Sequence, residues 1–478
     1  MSQPPPPSSG RPMPNGRPRP GAQGVPGAPD FQHAPEYVDY GNPRLYDTSM
    51  RPASGLTAAR YAPAPMQRPE QAQPASAWAT QTRAIADIQH EGKRPVPGRT
   101  IAAWIVAGVL GLGVLIVLGI GFLAFILQGQ ANPAWWLAYA FIAFLSLVVI
   151  AIVVVIADRW DPEPIPLLLT AVFWGAAIAV SIAYVVNSTF GIVAASVLGS
   201  GELAQTLTAV ISAPIVEETS KGLGLVLIFL IARRHFSGPL DGLIYGALIG
   251  GGFAFVENIL YYTRGVTDYL VHGADVGQTL FGSLILVVVR GVIGIFGHCI
   301  YTSLTGVVMG LVARKWGTIP GLVVFLVAPW PGMFLHGLWN GGTGLLTGLF
   351  GLWGLIFALL GEMFESALWL ALIGLLVWDE ARLTRVRLGD YANLGWLTHE
   401  EVTMLATWRG RREGRRWAKS IGAGAAMKTF IRDSAELATT RQRLLADGGN
   451  PRIVALEKEQ LNRLTANRQN LLHAVPAA

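Results

Sequence analysis

Between residues 101 and 378 the chain is a succession of apolar runs of about 20 residues or more, separated by short polar connectors. Runs of that length cross a hydrocarbon core of ~30 Å as helices. No water is present there to satisfy backbone N–H and C=O groups, so each run must bond its own backbone. We read about eight spans, near 101–128, 133–156, 165–186, 205–232, 240–262, 280–312, 319–344 and 350–378. Composition agrees. Only 14% of residues are charged, against about 25% in soluble domains, and the mean hydropathy is +0.43. The expected fold is an all-α, polytopic membrane helix bundle, multi-pass in a cell membrane.

The connectors orient this bundle. "DRWDPEP" (158–164), "ARRHFSGP" (232–239), "ARKWG" (313–317) and "WDEARLTRVR" (378–387) hold the short-loop arginines and lysines. "QGQANP" and "GGTGLLTG" hold none, and the 263–278 loop holds only Arg264. The alternation fits the positive-inside rule with both termini cytoplasmic. Basic flanks and tails account for the net charge of +6, so no nucleic-acid partner is indicated. The single cysteine, Cys299, excludes an intramolecular disulfide and a Cys-rich metal site.

Three regions follow. Residues 1–100 carry 19 of the 30 prolines and are expected to be a disordered cytoplasmic tail. They lack the pattern of a cleaved signal peptide. Residues 101–378 form the membrane domain. Residues 379–478 are polar with helical periodicity, and their basic cluster "WRGRREGRRWAK" (408–419) suits either an anionic leaflet or an ordinary solvated helix.

Charged groups interrupt the apolar runs. "ISAPIVEETSKGLGLVLIFLI" (211–231) places Glu217, Glu218 and Lys221 in the middle of a span, at a cost of roughly 2.5–3.5 kcal/mol per group. The next helices add Glu257 and Asn258, then Arg290 and His298, then His336 and Asn340, and the last adds Glu362 and Glu365. Intramembrane ionisable groups face a bundle interior or a wet cavity, so successive helices bearing them suggest one shared polar site. Glu217 and Lys221 stack at i,i+4, as do His336 and Asn340. Glutamate can activate water and then protonate a leaving amine, histidine can share the proton transfer, and an asparagine amide can hold an oxyanion. The same groups read differently as a structural Glu217–Lys221 ion pair, as Glu257/Asn258 interhelical hydrogen bonding, or as Arg290 neutralising a glutamate. Glu362 and Glu365 have no motif partner and read as structural or cavity-lining.

Other intramembrane protease patterns are absent: HExxH, a membrane Gly-x-Ser-Gly with a histidine partner, and paired intramembrane aspartates. "VEETSKG", "DGLIYGALIGGGFAFVENILYY", "RGVIGIFGHCIYTSLTG" and "HGLWN", in that order, resemble the PrsW family of intramembrane proteases, and "DRWDPEP" resembles that family's arginine-and-acidic loop. The likeness covers roughly 150–345. It implies that Glu217 activates water, with Glu218 its neighbour in the motif. It implies that His298 and His336 serve proton transfer, oxyanion stabilisation or metal binding, and that Asn340 is an oxyanion donor. Glu257 matches the acidic residue of the second motif, with its role left open, and Lys221, Asn258 and Arg290 support. The family is described as metalloproteases, some acting on membrane-anchored anti-sigma factors. Zinc on Glu217, His298 and His336 and a metal-free Glu/His/Asn mechanism both fit. The implied partner is a membrane-anchored protein substrate within the bilayer; oligomeric state is not indicated. The rival reading is a proton-coupled transporter or channel using a Glu/His relay, though the chain lacks the repeats many transporters show. The third is an inactive scaffold that binds a partner helix.

Overall fold

A computed structural model describes residues 98–127, 132–273, 275–393, 396–447 and 450–473. The expected disordered tail lies outside the described residues, apart from its last three positions. The described residues are helical, without strands. Eight helices make up the bundle: α1 (Gly98–Leu127), α2 (Pro133–Ala157), α3 (Ile165–Leu198), α4 (201–231), α5 (Pro239–Val271), α6 (Val276–Trp316), α7 (Thr318–Phe350) and α8 (Leu352–Asn393). Four more follow: α9 (His399–Leu405), α10 (Trp408–Ser420), α11 (Gly424–Ala446) and α12 (Pro451–His473).

Seven of the first eight are long and apolar enough to cross a membrane. The remaining one, α4, carries Glu217, Glu218 and Lys221 in its middle and falls outside that set. Seven spans thus stand against the expected count of about eight, and the helix left over is the one whose charges raised the question. Several ends move outward. α3 continues to Leu198 rather than residue 186 because "FGIVAASVL" is itself largely apolar, α5 runs to Val271 rather than residue 262, and α8 runs on to Asn393, where polar residues extend the helix beyond its apolar run.

α5 is the hub. It is buried over most of its length, whereas α1 is largely exposed and shows a row of isoleucines and leucines. Its glycines explain the closeness of α6. A Cβ on Gly242 would sit 1.9 Å from the Gly306 carbonyl oxygen, and one on Gly250 would sit 2.2 Å from that of His298. Small residues at four-residue intervals let two membrane helices meet backbone to backbone. The Gly-rich stretch of α5 is therefore a close-packing face in continuous helix, not an unwound one.

Three helices change register. One turn of π-helix interrupts α3 at Trp174–Ala179, α4 at Thr208–Ser212 and α6 at Val288–Ile293. Such turns gather at functional sites because they re-aim the residues that follow.

A candidate active site between α4, α5, α6 and α7

The site begins with Pro214. Proline has no N–H to give and its ring crowds the preceding turn. The chain relieves this with the π-turn before it, where Ala213 N–H reaches back to Thr208 O. The next bond in that register would run from residue 214 to the Ala209 carbonyl, and proline cannot make it. Asn340 Nδ2 of α7 donates to Ala209 O instead, at 2.8 Å. The break in α4 thus fixes the position of an expected site residue.

One turn on, the two glutamates have different surroundings. Glu218 is fully buried and saturated: Lys221 Nζ lies 2.7 Å from Oε1, Thr302 Oγ1 donates to Oε2 at 2.9 Å, and His336 Nδ1 lies 3.1 Å from Oε1. Glu217 is 3.5 Å from Lys221 Nζ and 3.9 Å from His336 Nε2, and its buried Oε2 has no hydrogen-bond partner among the described residues.

Lys221 links the halves of the site. Its Nζ also lies 2.9 Å from His298 Nδ1 and 4.0 Å from the centre of the Phe253 ring. An ammonium can only donate, so His298 Nδ1 accepts and Nε2–H donates to Glu257 Oε2 at 2.8 Å. Arg290, in the π-turn of α6, completes this side. It donates to Glu257 Oε2 at 2.6 Å and to Asn258 Oδ1 at 3.0 Å. These partners offset the burial of charge: each of Glu218 and Glu257 touches a fixed cation and at least one further hydrogen-bonding group.

Eight of the nine expected residues therefore meet in one network, and Asn340 joins them at the cavity that most of them line. Seven of the nine line this cavity of ≈ 170 Å³, and the two that do not are Glu218 and Lys221, which lie behind Glu217. Sequence reasoning missed Thr302 and Phe253. Thr302 is one helical turn after His298 and Phe253 one turn before Glu257, so the i,i+4 spacing was the signal available. Glu362 also lines the cavity, whereas Glu365 does not.

Glu217, Glu218, His298 and His336 place one ligand atom each within 4.8 Å of one another. Two carboxylates and two imidazoles are a donor set suited to zinc, and Glu217, whose Oε2 is unpartnered among the described residues, belongs to it. By residue type and spacing these four fit a metal ion. The Lys221 ammonium, touching three of them, stands in the same place as a cation.

Residues 163–369 match the family described as PrsW family intramembrane metalloprotease. The chain is 29% identical over 104 residues to Protease PrsW of Bacillus subtilis (strain 168), covering 22% of this chain and 44% of that protein. It is 31% identical over 106 residues to Protease PrsW of Geobacillus kaustophilus (strain HTA426), covering 22% and 43%. The matched stretch thus spans less than half the length of these curated relatives. No solved structure matches. Every residue of the cavity falls inside 163–369, the stretch that matches the PrsW family.

Proposed function

We propose that the protein is an intramembrane endopeptidase that hydrolyses peptide bonds of membrane-anchored proteins, with Glu217 activating the attacking water. One observation carries this reading. Of the two adjacent glutamates, Glu217 lines the polar cavity with an open Oε2, while Glu218 is buried behind it with both oxygens bonded.

Division of labour follows from the contacts. Glu217 takes the proton of the attacking water. Glu218 holds His336 by Nδ1, which leaves Nε2 facing Glu217. Glu257 and Lys221 hold the two nitrogens of His298 and so fix its tautomer and ring plane. Asn340 commits one N–H to Ala209 O and retains a second for the developing oxyanion. If zinc binds, Glu217, Glu218, His298 and His336 would hold it, and it would supply Lewis-acid polarisation of the scissile carbonyl. Anti-sigma-factor-like proteins with a single span are the substrate class we favour, following the family.

The test is cleavage by detergent-purified protein of a panel of single-span substrates, comparing wild type with Glu217→Gln and reading metal content on the same samples. Gln keeps the size of the side chain and removes the base. The rate should fall by about 10²–10⁴-fold. Equal cleavage by both proteins would show that Glu217 is not the base.

A further inference from the structure

Among the described residues, four carboxylates reach this polar centre, but only two fixed cations do. Lys221 takes Glu218 at 2.7 Å and Arg290 takes Glu257 at 2.6 Å. The two carboxylates left over are Glu217, 3.5 Å from Lys221, and Glu362 of α8. Glu362 is 3% exposed, lines the same cavity, and takes no hydrogen bond or ion pair among the described residues. Its surroundings are built rather than incidental. A Cβ on Gly297 would lie 3.0 Å from Glu362 Oε1 and 3.5 Å from Tyr301 Oη, so both polar atoms border the space that this glycine leaves beside His298. The Tyr301 hydroxyl is buried with no partner among the described residues, and its ring stacks on His336 with centroids 5.1 Å apart and planes at 16°. A carboxyl and a hydroxyl with open hydrogen-bonding capacity thus reach the cavity beside both histidines.

We propose that Glu362 is the proton donor to the leaving nitrogen, supported by the neighbouring Tyr301 hydroxyl, and that the site works with two unpaired carboxyls in different roles. This rests on the protease reading. Leaving a buried carboxylate without a cation is costly, and a proton on Glu362 removes that charge. The balance is as follows. Glu217 takes a proton from water as the water oxygen bonds to the scissile carbonyl carbon, and the C=O π pair moves onto oxygen. On collapse that pair re-forms the carbonyl, the C–N bond breaks with its electrons going to nitrogen, and nitrogen takes the proton of Glu362. The products are a carboxylic acid and an amine. Glu217 is left protonated and Glu362 ionised, and proton transfer from Glu217 to Glu362 through cavity water restores both.

A thioester discriminates this role from a structural one, because a thiolate leaves without being protonated. The full-length protein, in detergent, is given a single-span substrate and a matched analogue with a thioester at the mapped scissile bond. Glu362→Gln should lower kcat on the amide by about 10²-fold or more with KM unchanged. Thioester cleavage should stay within about 3-fold of wild type, which also certifies the fold of the variant. Tyr301→Phe should show the same pattern more weakly. Equal slowing of both substrates by Glu362→Gln, or no slowing of the amide, overturns the assignment while leaving Glu217 in place. A wild type that cleaves neither substrate overturns the protease reading itself, and the role of Glu362 with it.

Discussion

At the scale of single residues the site turns on Lys221. Its ammonium touches Glu218, Glu217 and His298 with no exposure to solvent, and it stands among the four groups that could hold a metal. Lys221→Met keeps the length of the chain and removes the cation. Breaking a buried pair in this way costs about 3–5 kcal/mol, so the thermal midpoint should fall sharply. The four donors remain, and added zinc should then raise the midpoint of Lys221→Met while leaving that of wild type unchanged. Stoichiometric zinc in purified wild type would show instead that the ammonium gives up this place. Much of this site was legible in the sequence: the EExxK spacing announced a Glu–Lys pair, and Arg290 was expected to neutralise a glutamate. Which glutamate was not legible. Positions i+3 and i+4 share a helical face, and the choice of Glu218 as the nearer partner depends on Thr302 and His336, which arrive from other helices. The sequence takes Glu362 no further than a structural or cavity-lining role, because its site neighbours Tyr301 and Gly297 are some 60 residues away in the chain.

At the scale of elements, run length located the helices but not the π-turns. Lipid demands only that the backbone bond itself, and one wide turn satisfies that demand as well as a regular one. Pro214 was the visible trace of one such turn, since a proline inside a membrane helix requires some local adjustment. The glycine face of α5 makes a sharper claim. Gly250 holds the backbone of His298 close enough for its ring to bridge Lys221 and Glu257, and an alanine there would put a Cβ 2.2 Å from the His298 carbonyl oxygen. The helices must part, at a cost of about 1–3 kcal/mol from overpacking. We expect Gly250→Ala to lose cleavage by about 10²-fold through misplacement of His298. Gly251→Ala is the control. Its Cβ meets only side chains, Ile150 at 3.0 Å and Leu147 at 3.6 Å, on another face of the same helix, and a side chain can turn aside. If both variants retain activity, the close approach of α5 and α6 does not set the site.

At the scale of the molecule, the charged connectors of the bundle also carry the C-terminal helices. Periodicity foretold helices after residue 379 but not where they would pack. In the basic α10, Arg411 is buried while its neighbours Arg412, Arg415 and Arg416 are exposed. Arg411 donates to Trp160 O and Leu405 O, each at 2.7 Å, and lies 3.5 Å from the Trp160 ring centre. Trp160 in turn donates to Thr384 Oγ1 of α8 at 2.9 Å, and Asp447 accepts from Thr318 N at 2.9 Å. One face of the basic helix is therefore interior, a fact that composition alone could not supply. The same connector holds Asp158, which caps its own turn by accepting Glu163 N–H at 3.0 Å and is 6% exposed. Burial pushes its carboxyl up to about 7, against the pull of that N–H. A carboxyl raised in the folded state stabilises fully below its unfolded value of ~4, and that contribution is lost as pH rises toward 7. Burial takes His235 the other way, down to about 4, so its contribution is lost as pH falls below ~6.5. The two slopes oppose each other in the wild type, and a substitution separates them. Asp158→Asn keeps the acceptor for Glu163 N–H and abolishes the titration. Its thermal midpoint should sit near that of wild type at and below pH 4, rise above it progressively from there through pH 7, and hold a constant lead above about pH 8. A gap that does not change with pH would mean that Asp158 stays ionised where it lies, and that the junction between the membrane bundle and the C-terminal helices accommodates a full charge.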